Sequence, residues 1–147
     1  MILIASDHAG FNAKEKLKGF LKTENIDFLD LGTNSVDRCD YPDFAGKLSV
    51  KIHNKSYEQG ILICGSGIGV SITANRFKGV RAALCRTPED AKMSRLHNDS
   101  NVLCLGERFN SSDEIEKIVM TWLKTDFEGG RHADRVKKID KQAGEVS

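Results

Sequence analysis

No apolar run in this 147-residue sequence is long enough to cross a membrane. The opening Met1-Ile2-Leu3-Ile4-Ala5 passes straight into Ser6-Asp7-His8, too short for the hydrophobic stretch of a signal peptide. An excess of one charge is missing too, since 22 basic side chains face 21 acidic ones. That balance removes the simplest electrostatic case for a nucleic-acid or anionic-membrane partner, while leaving room for a local cationic pocket. The four cysteines, at 39, 64, 85 and 104, form no Cys-x-x-Cys pair and stand near no histidine at zinc-ligand spacing. Neither a structural metal nor a disulfide framework is implied. Linkers, internal repeats and low-complexity segments are absent as well. The expectation is a soluble cytoplasmic protein forming one domain over residues 1–147.

What is present is alternation. Short apolar runs at residues 2–5, 28–31, 61–64, 80–85 and 102–105 have strand length, and several end at a glycine or a polar cluster. Between them lie stretches of helical period, clearest at Ile115, Ile118, Val119, Trp122 and Leu123 and weaker at Ala13, Leu17, Phe20, Leu21 and at Phe44, Leu48, Ile52. Thr87-Pro88-Glu89-Asp90 places a cap before a proline at a first helical position, and Ser111 stands three residues before Glu114 as a capping box requires. A C-terminal helix is expected over about 130–143, with residues 143–147 frayed beyond it. Short connections between alternating strands and helices imply parallel strands and right-handed crossovers, hence a three-layer α/β/α, Rossmann-like domain with about five strands. Cys85 and Cys104 fall inside apolar runs and read as small core residues.

Ligands in such folds bind at the strand C-termini. There the sequence places Asp7 and His8 after the first strand, Cys64 with Gly65-Ser66-Gly67-Ile68-Gly69 after the third, and Glu107 and Arg108 after the fifth. A strand feeding a glycine-rich turn and then a helix over 70–77 gathers backbone N–H donors at one point, which suits an anion. Several anion motifs fail the spacing. A dinucleotide fingerprint needs a different glycine pattern after the first strand, a nucleotide loop needs Gly-Lys-Ser/Thr, and a cysteine phosphatase needs arginine where Val70 stands.

A thiol beside a cluster of N–H donors survives those exclusions. It serves any reaction in which a proton leaves carbon next to a carbonyl, because the enediolate oxygen needs preorganised donors and the carbon acid needs a nearby base. The positive end of a helix favours the thiolate, and Ser66 supplies a hydroxyl for the same oxygen. The competing reading is a buried cysteine before a tight turn that needs glycine only for its backbone geometry. His8 and His97 are acid/base candidates for opening a cyclic sugar phosphate, or else surface and capping residues. Arg131 and Arg135, four apart behind Gly129-Gly130, would present two guanidinium groups on one helix face, as a phosphate clamp or as part of a solvated basic helix with Lys137, Lys138 and Lys141. His53, beside Asn54 and Lys55, reads as a surface residue.

Five ordered segments resemble ribose-5-phosphate isomerase type B, within the ribose/galactose-6-phosphate isomerase group. They are Ser6-Asp7-His8-Ala9-Gly10, Asp40-Tyr41-Pro42, Ile61 through Gly69, Ser94 through Asp99, and Glu128-Gly129-Gly130-Arg131-His132, and the likeness covers residues 1–140. The resemblance implies aldose–ketose isomerisation of D-ribose 5-phosphate and D-ribulose 5-phosphate through a cis-enediol, in the pentose phosphate pathway. It implies that Cys64 shuttles the proton, that Ser66 and the backbone of Gly65, Gly67, Ile68 and Gly69 hold the enediolate, and that His97 helps open the furanose. By the same likeness Asp7, Tyr41 and Asn98 contact the sugar, while His8, Arg108, Arg131 and Arg135 contact the phosphate. It further implies a homodimer or homotetramer whose sites are completed by both chains, with no metal or organic cofactor. One branch of the group replaces the cysteine by a glutamate just after the glycine loop; here Cys64 is present and Val70 stands at that place, which puts the chain in the cysteine branch. Ser66 stands where many members carry threonine, keeping the hydroxyl. An isomerase of a six-carbon phosphate, such as allose 6-phosphate or galactose 6-phosphate, stays open, as does a phosphate- or nucleotide-binding module without catalysis.

Overall fold

Each of the five apolar runs forms a strand in the computed structural model, which describes residues 1–144. The strands are β1 (Ile2–Ser6), β2 (Phe28–Asp30), β3 (Gly60–Cys64), β4 (Ala82–Leu84) and β5 (Val102–Gly106). The helices are α1 (Phe11–Thr23), α2 (Tyr41–His53), α3 (Ile68–Ala74), α4 (Pro88–Asn98), α5 (Ser112–Lys124) and α6 (Arg131–Gly144). All strand pairings are parallel, in the order β2-β1-β3-β5-β4, giving the expected three-layer Rossmann-like architecture.

Strand periodicity divides the core in two. Ile2, Ile4, Ile61, Ile63, Leu103 and Leu105 face α1, α4 and α5, while Leu3, Ala5, Leu62, Cys64, Val102 and Cys104 face α2 and α3. Both faces are covered, which is why the strands read as continuous apolar runs. Trp122 on α5 is fully buried and donates its indole N–H to Ser100 Oγ at 2.8 Å.

The start signals act as expected. Thr87 Oγ1 accepts from the Asp90 N–H at 3.1 Å, and the Ser111/Glu114 capping box is complete. Two boundaries differ. The helix after the glycine loop begins at Ile68 and ends at Ala74, because Gly67 at φ +79 turns the chain directly into it and Phe77 N–H bonds back to the Ala74 carbonyl to close it. At the other end of the chain, Ala143 and Gly144 belong to α6; the remainder of the expected frayed tail, 145–147, lies outside the described residues.

From β1 the chain moves outward to β2 and then crosses back to pair β3 on the other side of β1. This reversal opens a crevice between the C-terminal ends of β1 and β3, the place where such sheets bind ligands. Asp7 and Cys64 stand on its two sides.

Candidate active site

Cys64 is the last residue of β3 and is 5% exposed. Its Sγ accepts the Gly67 N–H at 3.1 Å, so the loop folds around the sulfur. Gly67 is required twice over: its φ is +79, and a Cβ there would stand 2.6 Å from Leu84 Cδ1. Ser66 Oγ accepts the Ile68 N–H at 3.1 Å, leaving the hydroxyl proton to donate elsewhere. The loop therefore spends two of its N–H groups internally. Its remaining donors are those of Gly65, Ser66 and Gly69, fewer than the sequence suggested.

Neighbouring side chains press on the loop wherever glycine leaves room. The Arg108 guanidinium lies over Gly65, its Cζ 3.0 Å from where a Cβ would be, and the Arg108 N–H donates to the Gly65 carbonyl at 3.0 Å. The Tyr41 ring covers Gly69 in the same way, with Cε1 at 2.6 Å. Across the crevice, Asp7 is buried and accepts the Gly10 N–H at 3.1 Å, while Gly10 itself packs so tightly against the Ile63 carbonyl that no side chain fits. His8 anchors Nδ1 on the backbone of Cys39, whose N–H lies at 3.2 Å, which leaves Nε2 as its free ring nitrogen. Thiol, hydroxyl, carboxylate, imidazole, phenol and guanidinium thus surround one crevice.

The other cysteines contrast with Cys64. Cys85 and Cys104 are buried as expected; burial pushes the Cys85 thiol up to about 11 and raises Cys104 well above the ordinary thiol range. Cys39 is half-buried beside His8.

His97, Asn98, Arg131 and Arg135 do not join this crevice. α4 runs antiparallel to the strands, so its C-terminal His97 and Asn98 lie at the N-terminal edge of the sheet, about 17 Å of strand length from the Cys64 edge. Arg95 pins that helix end through the Thr125 carbonyl at 3.0 Å, Asp99 at 2.9 Å and the Ser100 carbonyl at 2.6 Å. The Glu128 N–H donates to the Leu96 carbonyl at 3.1 Å, and Gly129 and Gly130, at φ +71 and +55, turn the chain into α6. These glycines serve a tight left-handed turn. The turn brings His132 onto His97, with ring centroids 4.3 Å apart and planes within 18°. Beside the pair is a cavity of about 340 Å³ lined by His97, Asn98, His132, Arg135, Val136 and Ile139. Donor atoms of His97, Glu128 and His132 lie within 4.8 Å of one another, but face-to-face rings aim their in-plane lone pairs side by side instead of at a common ion.

Four residues near these clusters were given no role by the sequence. Arg86, after β4, stacks 4.0 Å over the Phe109 ring and lies against Gly106, with Nη1 buried and unpartnered among the described residues. Glu107 Oε1 accepts the Ala13 N–H at 2.7 Å, tying α1 to the turn after β5. His132 and Glu128 sit inside a motif whose arginines drew the attention. A cavity of about 580 Å³ opens at the N-terminal edge of the sheet among His53, Arg81, Asp99 and Asp140, away from the thiol. His53, read as a surface residue, lines it and donates from Nδ1 to the Lys78 carbonyl at 2.7 Å.

A family model described as Ribose/Galactose Isomerase matches residues 2–139. The chain belongs to the ribose/galactose isomerase family. Among relatives in that family, ribose-5-phosphate isomerase B of Escherichia coli is 41% identical over 138 residues, covering 94% of this chain and 93% of its own. A probable ribose-5-phosphate isomerase B of Mycoplasma genitalium is 47% identical over 140 residues, 94% of this chain and 92% of its own. The ribose-5-phosphate isomerase B structure from Clostridium thermocellum superposes with a TM-score of 0.96 at 46% identity, covering 99% of both chains. The Mycoplasma genitalium enzyme, solved with bound ribulose-5-phosphate, superposes at 0.93 with 46% identity over 99% of this chain and 97% of that one. No described helix is long and apolar enough to cross a membrane.

Proposed function

We propose that this isomerase interconverts D-ribose 5-phosphate and D-ribulose 5-phosphate through a cis-enediol, with Cys64 moving the proton between C1 and C2. The observation that carries the reading is the Cys64 sulfur held at the crevice mouth, 3.1 Å from the Gly67 N–H, in a family with a ribulose-5-phosphate-bound member. Proton transfer next to a carbonyl asks for a base, an acid and donors for the developing oxyanion. Cys64 is the base. The Ser66 hydroxyl and the N–H groups of Gly65, Ser66 and Gly69 receive the oxyanion; Asp7 and Tyr41 take sugar hydroxyls; His8 and Arg108 take the phosphate.

The remaining members of the set come from a second copy. His97, Asn98, Arg131 and Arg135 sit at the opposite edge of their own sheet, so a two-fold dimer is the smallest assembly that brings them to a Cys64 loop. Beside that loop the surface is apolar where a partner would dock: Ile68 and Ile72 on α3 are 47% and 55% exposed, and Tyr41 is 41% exposed. A homotetramer would be a pair of such dimers. Cytoplasmic sugar-phosphate metabolism, in the pentose phosphate pathway, is the setting this activity implies.

The purified chain should turn over ribose 5-phosphate with a kcat/KM at least about tenfold above that for allose 6-phosphate or galactose 6-phosphate, the usual scale for one extra carbon in a shaped pocket. The reverse order in a coupled assay would move the activity to the six-carbon sugars. A second expectation concerns His97, read as the group that opens the furanose ring. His97→Asn should lose about 10²-fold on ribose 5-phosphate while sparing an aldotetrose phosphate that cannot close a furanose. Equal loss on both substrates would place His97 in the proton-transfer step itself.

A further inference from the structure

We infer that His132 is a positioning residue for His97: its ring, stacked flat on the His97 imidazole, fixes the plane of that ring while leaving both of its nitrogens free to take and release a proton. The inference rests on the reading of His97 as the ring-opening group. An orienting hydrogen bond would hold one of the two ring nitrogens, whereas a stacked neighbour fixes the plane of the ring and occupies neither. The two rings are 4.3 Å apart and nearly parallel, and the nearest carboxylate, Glu128 Oε2, is 3.9 Å from His97 Nε2, beyond hydrogen-bond length.

His132 is built to stay in place. It is 6% exposed, its N–H is bonded to the Gly129 carbonyl at 3.1 Å, and the turn that delivers it is held by the Glu128 N–H on Leu96. His97, by contrast, keeps 40% of its side chain exposed and would sweep through rotamers without a neighbour against its face. Burial, then the nearby His97, lowers the His132 pKa below the ordinary imidazole value, with Arg131 and Arg135 adding to the effect and Glu128 opposing it. The shift disfavours the charged form of the His132 ring beside His97. Its Nε2 is buried with no hydrogen-bond partner among the described residues, so the ring is held by packing and by the stack itself and not by a bond at that nitrogen.

The test compares His132→Ala and His132→Phe in the full-length oligomer, each assayed on ribose 5-phosphate and on a non-cyclising aldotetrose phosphate. His132→Ala should lower kcat on ribose 5-phosphate about tenfold or more, move KM by no more than about twofold, and spare the aldotetrose phosphate. His132→Phe, which keeps a flat ring against His97 and preserves packing, should recover most of that kcat. Unchanged kcat in the alanine variant, equal loss on both substrates, or failure of phenylalanine to recover activity would each overturn the inference. Failure of the underlying reading is separable: it would show as a His97→Asn variant with full activity on ribose 5-phosphate, whatever the His132 variants do.

Discussion

Mixing subunits that carry Cys64→Ala with subunits that carry His97→Asn should restore activity that neither variant has alone. The expectation follows from the direction of α4. Parallel strands joined by crossovers force each connecting helix to run antiparallel to the sheet, so a residue ending such a helix cannot share a strand end with Cys64 in the same chain. If the crevice of one copy is completed by the His97 cluster of another, a mixed dimer holds one site with both substitutions and one with neither. Equal mixing makes half of the dimers mixed and leaves a quarter of all sites intact, so the co-refolded or co-expressed pool should reach about a quarter of the unmodified rate, against a few per cent at most for either parent. Absence of recovery, with mixed dimers demonstrated by differential tags, would mean that each chain builds its site alone.

Cys64→Ala should cost about 10³-fold in kcat on ribose 5-phosphate while leaving the affinity for substrate within a few-fold of the parent. The proposed phosphate ligands His8, Arg108, Arg131 and Arg135 are untouched by the change, and the alanine fits a site that already buries the Cβ. Binding therefore persists when turnover does not. The same substitution at Cys85 or Cys104 serves as control: both thiols are buried in the core, and burial holds them protonated. Those variants should lose some stability and little activity. Near-parental activity in Cys64→Ala would return the cysteine to the reading in which it is one more core residue before a tight turn.

How much of this was legible beforehand depends on whether the determinant was local. The five strands were readable because a parallel sheet covered on both faces needs uninterrupted apolar runs, and α4 and α5 were readable because Thr87 and Ser111 cap them through side chains three residues away. α3 was misplaced by two residues at its start, since nothing local marks Gly67 as the turn rather than Gly69. Lys14 illustrates the opposite case. It is fully buried on α1 against Asp30, 2.7 Å away on β2, a pairing that only the tertiary fold creates. The two halves of the proposed site divide along the same line. Asp7, Cys64 and Arg108 could be assigned to one edge from strand ends alone, whereas the separation of His97 from Cys64 required the helix direction. His132 escaped because its motif was read for arginines; its stack on His97 depends on a left-handed turn at Gly129 and Gly130 that sequence leaves implicit.

The central claim, that Cys64 carries the proton of a cis-enediol, is tested most directly by ribose 5-phosphate labelled with deuterium at C2. The unmodified isomerase should wash label from C2 into solvent as it turns over, because a proton on sulfur exchanges with water before it returns to carbon. Cys64→Ala should bind the same sugar phosphate and leave the label on C2. Loss of label from C2 at the unmodified rate in that variant would contradict the account and assign the base to another residue of the crevice.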